Sequence, residues 1–399
     1  MSKNIVFCAD GTWNGPDEDD DQDGVPETTN VWKLFLNLAS DVLPDSVLYA
    51  KEQESSYSNA GACVQVAKYL HGVGDAQNPI IKMLGGVFGS GLIARIVRGY
   101  TFISRNYQPG DRIDLVGFSR GSYTARALGG LIVDQGLLDR NTLDLTDPLV
   151  GYRKGIAAWR AHRVNRLPGI ATWNPRIQAL FNDVDSFLTL SQPIGKSELI
   201  PDVPIQAIAV WDTVGSMGIP LYAGGGDQRV DVFRFADTDL NPAVANGFHA
   251  VSLDEQRADF TPTLWSTRTG VLQAVFPGAH ADVGGGYPST GSQTGLSDGA
   301  LAWMMGCLSS MTDGPRFRQP PLPIAPNAMG VAHQPWKTGV FATLPFGPRD
   351  FTQYLPLGAH GSIRDRLAAG LVQADPAATA GPYQPSTMAS FLNGNTTWL

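Results

Sequence analysis

The chain has 399 residues, with 29 Lys and Arg against 37 Asp and Glu and a formal net charge of -8. That balance argues against a nucleic-acid-binding protein, because phosphate contacts need clustered positive charge. Hydrophobic residues form 43% of the chain and charged residues 17%, which excludes disorder for most of its length. The 45 glycines and 28 prolines exceed average usage and indicate long loops.

Short apolar segments alternate along the chain with segments of helical periodicity. Continuous apolar runs of this length favour parallel strands that are covered on both faces. The alternation predicts an α/β fold in which a mostly parallel central sheet is flanked by helices. In chain order the predicted elements are strand 5–9, helix 30–38, strand 46–50, helix 92–107, strand 112–118, helix 122–133, helix 148–162, strand 205–211, helix 242–252, strand 271–276 and helix 296–311.

The spacing of these elements predicts one domain over residues 1–399, with insertions at about 134–204 and 219–265. The extended C-terminal segment 312–399 is rich in Pro, Gly and Ala, and we expect it to wrap the domain.

Cys8, Cys63 and Cys307 are too far apart to indicate a zinc site or a disulfide framework. The first apolar run is too short for a signal peptide, and no segment approaches the ~20 apolar residues of a membrane span. We therefore expect a soluble protein made in the cytoplasm, with any export following a leaderless route.

The segment 112–126 joins an apolar strand to a helix through Gly117-Phe118-Ser119-Arg120-Gly121. This is the G-x-S-x-G pattern in the strand–turn–helix setting that presents a serine nucleophile. The helix start offers backbone N–H groups to a developing oxyanion, and Arg120 supplies the first of them. A second donor is expected after the first strand, from Gly11 or Thr12. The neighbouring Asp10 would then form an Asx-type turn or bind a cation.

A serine nucleophile needs a base, and the base needs an orienting acid. Asp212 follows the strand 205–211, and His280 follows the strand 271–276, so both fall at carboxyl ends of predicted strands. The order Ser119, Asp212, His280 is that of α/β-hydrolases. His360 is a rival base, and Asp282 would then be its acid. His249 fits a hydrogen-bonded core histidine on a helical stretch.

A short acidic segment after the first strand matches part of a calcium-binding loop. Asp19, Asp21, Asp23 and Gly24 fit the first half of that pattern, but Asn30 stands where a bidentate Glu is expected. A bound Ca²⁺ and a solvated acidic loop both remain open, and the expected chemistry requires no cofactor.

Several blocks of the chain together resemble an α/β-hydrolase family of unknown function that includes phospholipase effectors of bacterial type VI secretion. The resemblance covers roughly residues 3–311. It implies a Ser-Asp-His triad that cleaves lipid esters, with Ser119 as nucleophile, Asp212 as acid and His280 as base. It also implies contact with a membrane surface and with an immunity or secretion partner. The blocks are 9–14, 72–75, 117–126, 210–215, 253–257 and 276–287.

The sequence therefore favours a serine esterase or lipase acting on lipid esters, phospholipids above all. The resemblance adds the expectation of a secreted effector that is delivered into rival bacteria. One alternative is a metal-dependent phosphoester hydrolase in which Asp10, Asp212, His280 and Asp282 bind the metal. A second alternative is a non-catalytic interaction domain on a hydrolase scaffold.

Overall fold

The computed structural model describes residues 2–11, 24–41, 52–72, 88–166, 193–214, 239–337, 339–352, 357–376, 378–388 and 397–399. The strands are β1 (Asn4–Ala9), β2 (Glu52–Asn59), β3 (Ala62–Leu70), β4 (Arg112–Phe118), β5 (Leu137–Leu138), β6 (Leu199–Ile200), β7 (Ile205–Trp211), β8 (Val244–Ser252), β9 (Val271–Phe276), β10 (Gly358–Ala359) and β11 (Thr397–Trp398). The α-helices are α1 (Asn30–Asn37), α2 (Phe88–Asn106), α3 (Arg120–Gln135), α4 (Pro148–Arg166), α5 (His280–Gly284), α6 (Gly295–Ser310) and α7 (Gly361–Ala368).

Nine of these strands form one sheet in the order β11-β10-β9-β8-β7-β4-β1-β3-β2. Every neighbouring pair in it is parallel except the β2–β3 hairpin at one edge. Strands β5 and β6 pair separately. The prediction of a mostly parallel central sheet is therefore confirmed. The carboxyl ends of β1, β4, β7, β8 and β9 lie at one edge, where ligands bind in open α/β sheets.

Helices cover both faces of the sheet, because side chains alternate between the faces along each strand. In β1, Phe7 joins a buried cluster with α2, α3 and α4. The adjacent Cys8 points the other way, into a cluster with α1 and α6. Strands buried on both faces in this way contain continuous apolar runs, as the sequence indicated. No helix within the described ranges combines the length and the apolar character that a membrane span needs.

The predicted helix 242–252 is wrong, because this segment is the strand β8. It pairs in parallel with β7 on one side and β9 on the other, and its second half is buried throughout. A short apolar run that is buried on all sides lacks the periodicity that separates a strand from a helix. A central strand thus lies within the predicted insertion 219–265, and the hairpin of β2 and β3 was not predicted.

The other predicted strands agree with the structure to within one residue, apart from 46–50, which lies outside the described residues. The C-terminal segment 312–399 adds β10, β11 and α7 to the domain. The proposed limits of the single domain stay a prediction.

Candidate active site

Ser119 lies at the sharp turn between β4 and α3. Its backbone is at φ 55° and ψ -118°, a strained conformation for a residue with a side chain. A Cβ on Gly117 would collide with the carbonyl of Gly121, and a Cβ on Gly121 would collide with the carbonyl of Ala9. The Ser119 N–H donates to the Trp211 carbonyl of β7 at 3.1 Å. Both glycines are thus required for a turn that projects the serine at the sheet edge.

Arg120 is the first residue of α3, where backbone N–H groups have no acceptor within the helix. This position suits an oxyanion donor. The N–H of Gly11 is already used in this structure, because it donates to Asp10 Oδ1 at 2.7 Å. Thr12, the other predicted donor, lies outside the described residues.

Asp10 is a buried anchor at the end of β1. Its Oδ2 accepts hydrogen bonds from the hydroxyls of Thr29 at 2.8 Å and Tyr69 at 2.5 Å. Burial raises the pKa of Asp10 to about 6 against these bonds, which favour the carboxylate. The structure thus shows Asp10 bonded to side chains at the end of β1, and its two predicted roles, in an Asx-type turn and as a cation ligand, stay predictions.

Asp212 and His280 meet at the same edge of the sheet. Asp212 follows β7 with φ 38°, and His280 begins α5. His280 Nδ1 lies 2.5 Å from Asp212 Oδ2. The rings of Phe118 and Phe260 pack on the imidazole with centroid distances of 4.6 and 5.1 Å. The hydrogen bond and the two rings together fix the orientation of the imidazole.

Arg349, from the C-terminal segment, is a buried partner of Asp212 that sequence analysis missed. Its Nη1 donates to Asp212 Oδ1 at 2.7 Å and its Nη2 to Oδ2 at 2.8 Å. The backbone N–H of Ser252 donates to Oδ1 at 2.9 Å. Burial alone would raise the pKa of Asp212, but the charge of Arg349 and the hydrogen bonds from His280 and Arg349 hold it well below its usual value. Asp212 is therefore a carboxylate at neutral pH. An arginine that is 137 residues away leaves no local signal.

The imidazole of His280 is neutral at pH 7, because its pKa is lowered below the ordinary value. Burial lowers the pKa of its imidazole, and the hydrogen bond and charge of Asp212 act in the opposite direction. Its backbone N–H donates to Glu255 Oε2 at 3.2 Å. Glu255 in turn forms an ion pair with Arg257, whose guanidinium lies 3.5 Å from the centroid of Phe260. The loop after β8 therefore holds the backbone of His280 through Glu255, a role that the sequence did not reveal.

Asp282 pairs with His333 rather than with His360. Its Oδ1 lies 2.6 Å from His333 Nδ1, and its Oδ2 accepts the N–H groups of Ala279 and His333 at 2.8 Å each. His360 caps the start of α7, with Nδ1 2.8 Å from Ser362 Oγ. The structure thus brings His280 and Asp212 together and separates the rival base from its predicted acid.

His249 is a buried core histidine, as predicted, although it lies on β8 rather than on a helix. Its Nε2 accepts the Thr213 N–H at 3.0 Å, and its Nδ1 lies 3.4 Å from Gln273 Oε1. Burial lowers its pKa to about 3, so it stays neutral.

Metal binding was predicted at two places. In the part of the chain that the structure describes, no three His, Cys, Asp or Glu side chains converge on a position for a metal ion. Asp212 has both carboxylate oxygens bonded to Arg349, which disfavours the metal-dependent alternative. The predicted calcium ligands Asp19, Asp21 and Asp23 lie outside the described residues, so that expectation stays a prediction.

A parallel sheet with helices on both faces and a strained serine between a strand and a helix define an α/β-hydrolase-like fold. The chain belongs to the family of Tle1-like phospholipase effectors of the type VI secretion system, whose catalytic-domain model matches residues 3–307. The resemblance seen in the sequence is therefore confirmed. Arg349 and His333 both lie beyond the matched residues.

The chain matches 32% of the length of a curated relative and 46% and 51% of the lengths of two solved structures. An uncharacterized protein of Saccharomyces cerevisiae, YEL023C, is 28% identical over 259 residues, which are 65% of this chain and 32% of the relative. A crystal structure of an uncharacterized Pseudomonas aeruginosa protein matches with a TM-score of 0.39 and 18% identity, covering 79% of this chain and 46% of that one. A structure of the Tle1 effector bound to the VgrG spike matches with a TM-score of 0.35 and 18% identity, covering 72% and 51%.

Proposed function

We propose that this chain hydrolyses the carboxylic esters of lipids, and of phospholipids in particular, with Ser119 as nucleophile. The observation that carries the proposal is the 2.5 Å hydrogen bond between His280 and Asp212 at the edge where the strained Ser119 lies. Membership in a phospholipase effector family supports the choice of lipid esters.

In this mechanism His280 takes the proton of the Ser119 hydroxyl as the oxygen attacks the ester carbonyl. Asp212 holds the imidazole through Nδ1 and stabilises the imidazolium that forms. The N–H of Arg120 donates to the oxyanion at the start of α3. His280 then returns the proton to the leaving alcohol, and water hydrolyses the acyl-serine by the same steps in reverse order.

The test is hydrolysis of mixed phospholipid vesicles by the wild type and by Ser119→Ala and His280→Ala. Each substitution is expected to lower kcat by about 10⁴-fold, because the triad acts as a unit. A fluorophosphonate should label the wild type at Ser119, and EDTA should leave turnover unchanged. Loss of turnover with EDTA together with an active Ser119→Ala would favour the metal-dependent alternative instead.

The matched control is His360→Ala. This substitution removes the other candidate base and should leave kcat close to that of the wild type. If His360→Ala is inactive and His280→Ala is active, the assignment of the base is wrong. If Ser119→Ala retains full antibacterial effect, the non-catalytic alternative replaces the proposal.

We further propose that the chain acts as an antibacterial effector that is delivered by type VI secretion. Family membership supports this, and the Tle1 structure named above contains a secretion spike. The corresponding partners would be a component of the spike, an immunity protein in the producing cell and the membrane surface of the target. Competition between a producing strain and a sensitive strain tests it, because delivery should disappear when the secretion system is deleted.

A further inference from the structure

Arg349 binds both oxygens of Asp212 and two main-chain carbonyls as well. Its Nη1 donates to Ser252 O at 2.7 Å, and its Nη2 donates to Phe260 O at 2.6 Å. The side chain of Arg349 is 2% exposed, and that of Asp212 is fully buried. The guanidinium is therefore held by the ends of three separate segments, which is the geometry that a planar fork of donors matches and an ammonium does not.

The backbone around Arg349 is tied to the loop after β8. The Ala258 N–H donates to Pro345 O at 2.9 Å, and the Gly347 N–H donates to Gln256 O at 2.8 Å. These bonds fix the chain four and two residues before Arg349. The guanidinium is thus placed by its own segment and does not depend on Asp212 alone.

We propose that Arg349 is a positioning residue for the Asp212–His280 pair. Arg349 holds the carboxylate of Asp212 in place and offsets its charge, and His280 therefore stays unprotonated at neutral pH. This role rests on the proposed serine mechanism. It assigns a function at the reaction centre to the C-terminal segment, beyond the residues that define the family.

The charges around His280 determine the direction of the effect. Asp212 and Glu255 favour the imidazolium, whereas Arg257 disfavours it together with burial. Arg349 donates to both oxygens of Asp212, including the Oδ2 that faces His280, and so offsets the charge of that carboxylate. Without Arg349, Asp212 would pull on the imidazolium uncompensated, so the pKa of His280 should rise. A nearby unit charge in a buried site changes a pKa by about one unit or more.

The experiment measures the pKa of His280 directly, by NMR titration of ¹⁵N-histidine-labelled protein. The chain has six histidines, and His280→Gln assigns the signal. Arg349→Met should raise the pKa of His280 by about one unit. Arg349→Lys keeps the charge but not the fork, so its His280 pKa should stay close to that of the wild type. An unchanged or lowered pKa in Arg349→Met, or an equal rise in Arg349→Lys, would overturn the proposal.

Arg366→Met is the matched control for loss of a buried arginine. Arg366 is 1% exposed and donates to the carbonyls of Ala328 and Gly330 in the same C-terminal segment, without contact to Asp212. It should cost stability and leave the pKa of His280 unchanged. A rise in this control equal to that in Arg349→Met would reduce Arg349 to a structural residue.

The pH dependence of the activity gives a second measurement of the rise in the pKa of His280. For Arg349→Met, the acid limb of kcat/KM should move to higher pH, with about a tenfold loss for each unit of pKa at pH values below both the wild-type and the variant pKa, and recovery at pH 9. Arg349→Lys should lower kcat more than it changes KM, because the carboxylate is held less firmly. Failure of the serine mechanism would appear separately, as an active Ser119→Ala, whereas the NMR result does not depend on turnover.

Discussion

Two buried His–Asp pairs in this molecule share the short helix α5, which supplies the histidine of one pair and the aspartate of the other. Asp212 pairs with His280 at 2.5 Å, and Asp282 pairs with His333 at 2.6 Å. Asp212, Asp282 and both rings are buried, and each ring presents Nδ1 to its carboxylate. The hydrogen bond between acid and imidazole therefore does not separate a catalytic pair from a structural one.

The two pairs differ in what surrounds the other ring nitrogen. His333 Nε2 lies 3.1 Å from Gln293 Oε1, and its ring stacks on Tyr287 with a centroid distance of 3.4 Å. Among the residues that the structure describes, His280 makes its one ring hydrogen bond through Nδ1. A base must keep Nε2 available for the nucleophile, so only the pair beside the serine turn can do the proposed chemistry.

The strongest test of this comparison exchanges the same residue type in both pairs. His280→Gln should lower kcat by about 10⁴-fold, because the proton acceptor is lost. His333→Gln should keep most of the activity, since among the described residues its ring contacts Asp282, Gln293 and Tyr287, which take no part in the proposed triad. Steady-state rates on phospholipid vesicles at 25 °C measure both variants. Equal losses in the two would mean that the pairs act as one catalytic unit.

The second test concerns the folding energy of the structural pair. Asp282→Asn should lower the free energy of unfolding by about 3 kcal/mol, because the buried Asp282 carboxylate accepts the backbone N–H groups of Ala279 and His333 and pairs with His333 Nδ1. Urea denaturation followed by tryptophan fluorescence measures the change. A native-like midpoint would show that the carboxylate charge contributes little there.

Sequence analysis predicted the sheet, the serine turn and the positions of the acid and base, because each is marked by a local pattern. The strand β4 and Ser119 are adjacent in the chain, and Asp212 and His280 directly follow predicted strands. The family to which the chain belongs was also evident from those blocks.

The partners of these residues were not predictable, because they come from distant parts of the chain. Arg349, His333 and Tyr383 all belong to the segment 312–399, whose composition indicated loops. Each binds an aspartate that follows a central strand: Asp212 after β7, Asp282 after β9 and Asp254 after β8. The periodicity of the sequence also misidentified β8 as a helix, since a strand that is covered on both faces has no polar side.

The third prediction concerns a buried carboxyl group with no such partner. Asp114 lies on β4 in the interior, and neither of its oxygens has a hydrogen-bond partner among the described residues. Burial raises its pKa to about 8, and Arg112 opposes this only in part. Since the folded pKa exceeds the unfolded value of 3.8, this group destabilises the protein increasingly as pH rises from about 4 to about 8.

Asp114→Asn removes that ionisation and keeps the shape of the side chain. The variant should match the wild type near pH 4 and exceed it by several kcal/mol in unfolding free energy at pH 9. Thermal and urea denaturation across this range measure the difference. A difference that is constant with pH would show that the pKa of Asp114 in the folded protein is close to its unfolded value, because the carboxylate finds a partner.

The smallest expected effect is at the third tie between the C-terminal segment and the sheet edge. The Tyr383 hydroxyl donates to Asp254, lying 2.8 Å from Oδ2 and 3.0 Å from Oδ1, and the Gly278 N–H donates to Oδ2 at 2.7 Å. Burial raises the pKa of Asp254 to about 6, while these two bonds favour its carboxylate. Tyr383→Phe should therefore cost about 1 kcal/mol at pH 8 and less at pH 5, where the acid is already protonated in part. Urea denaturation at the two pH values measures this, and a larger cost at pH 5 would mean that the hydroxyl serves the neutral acid instead.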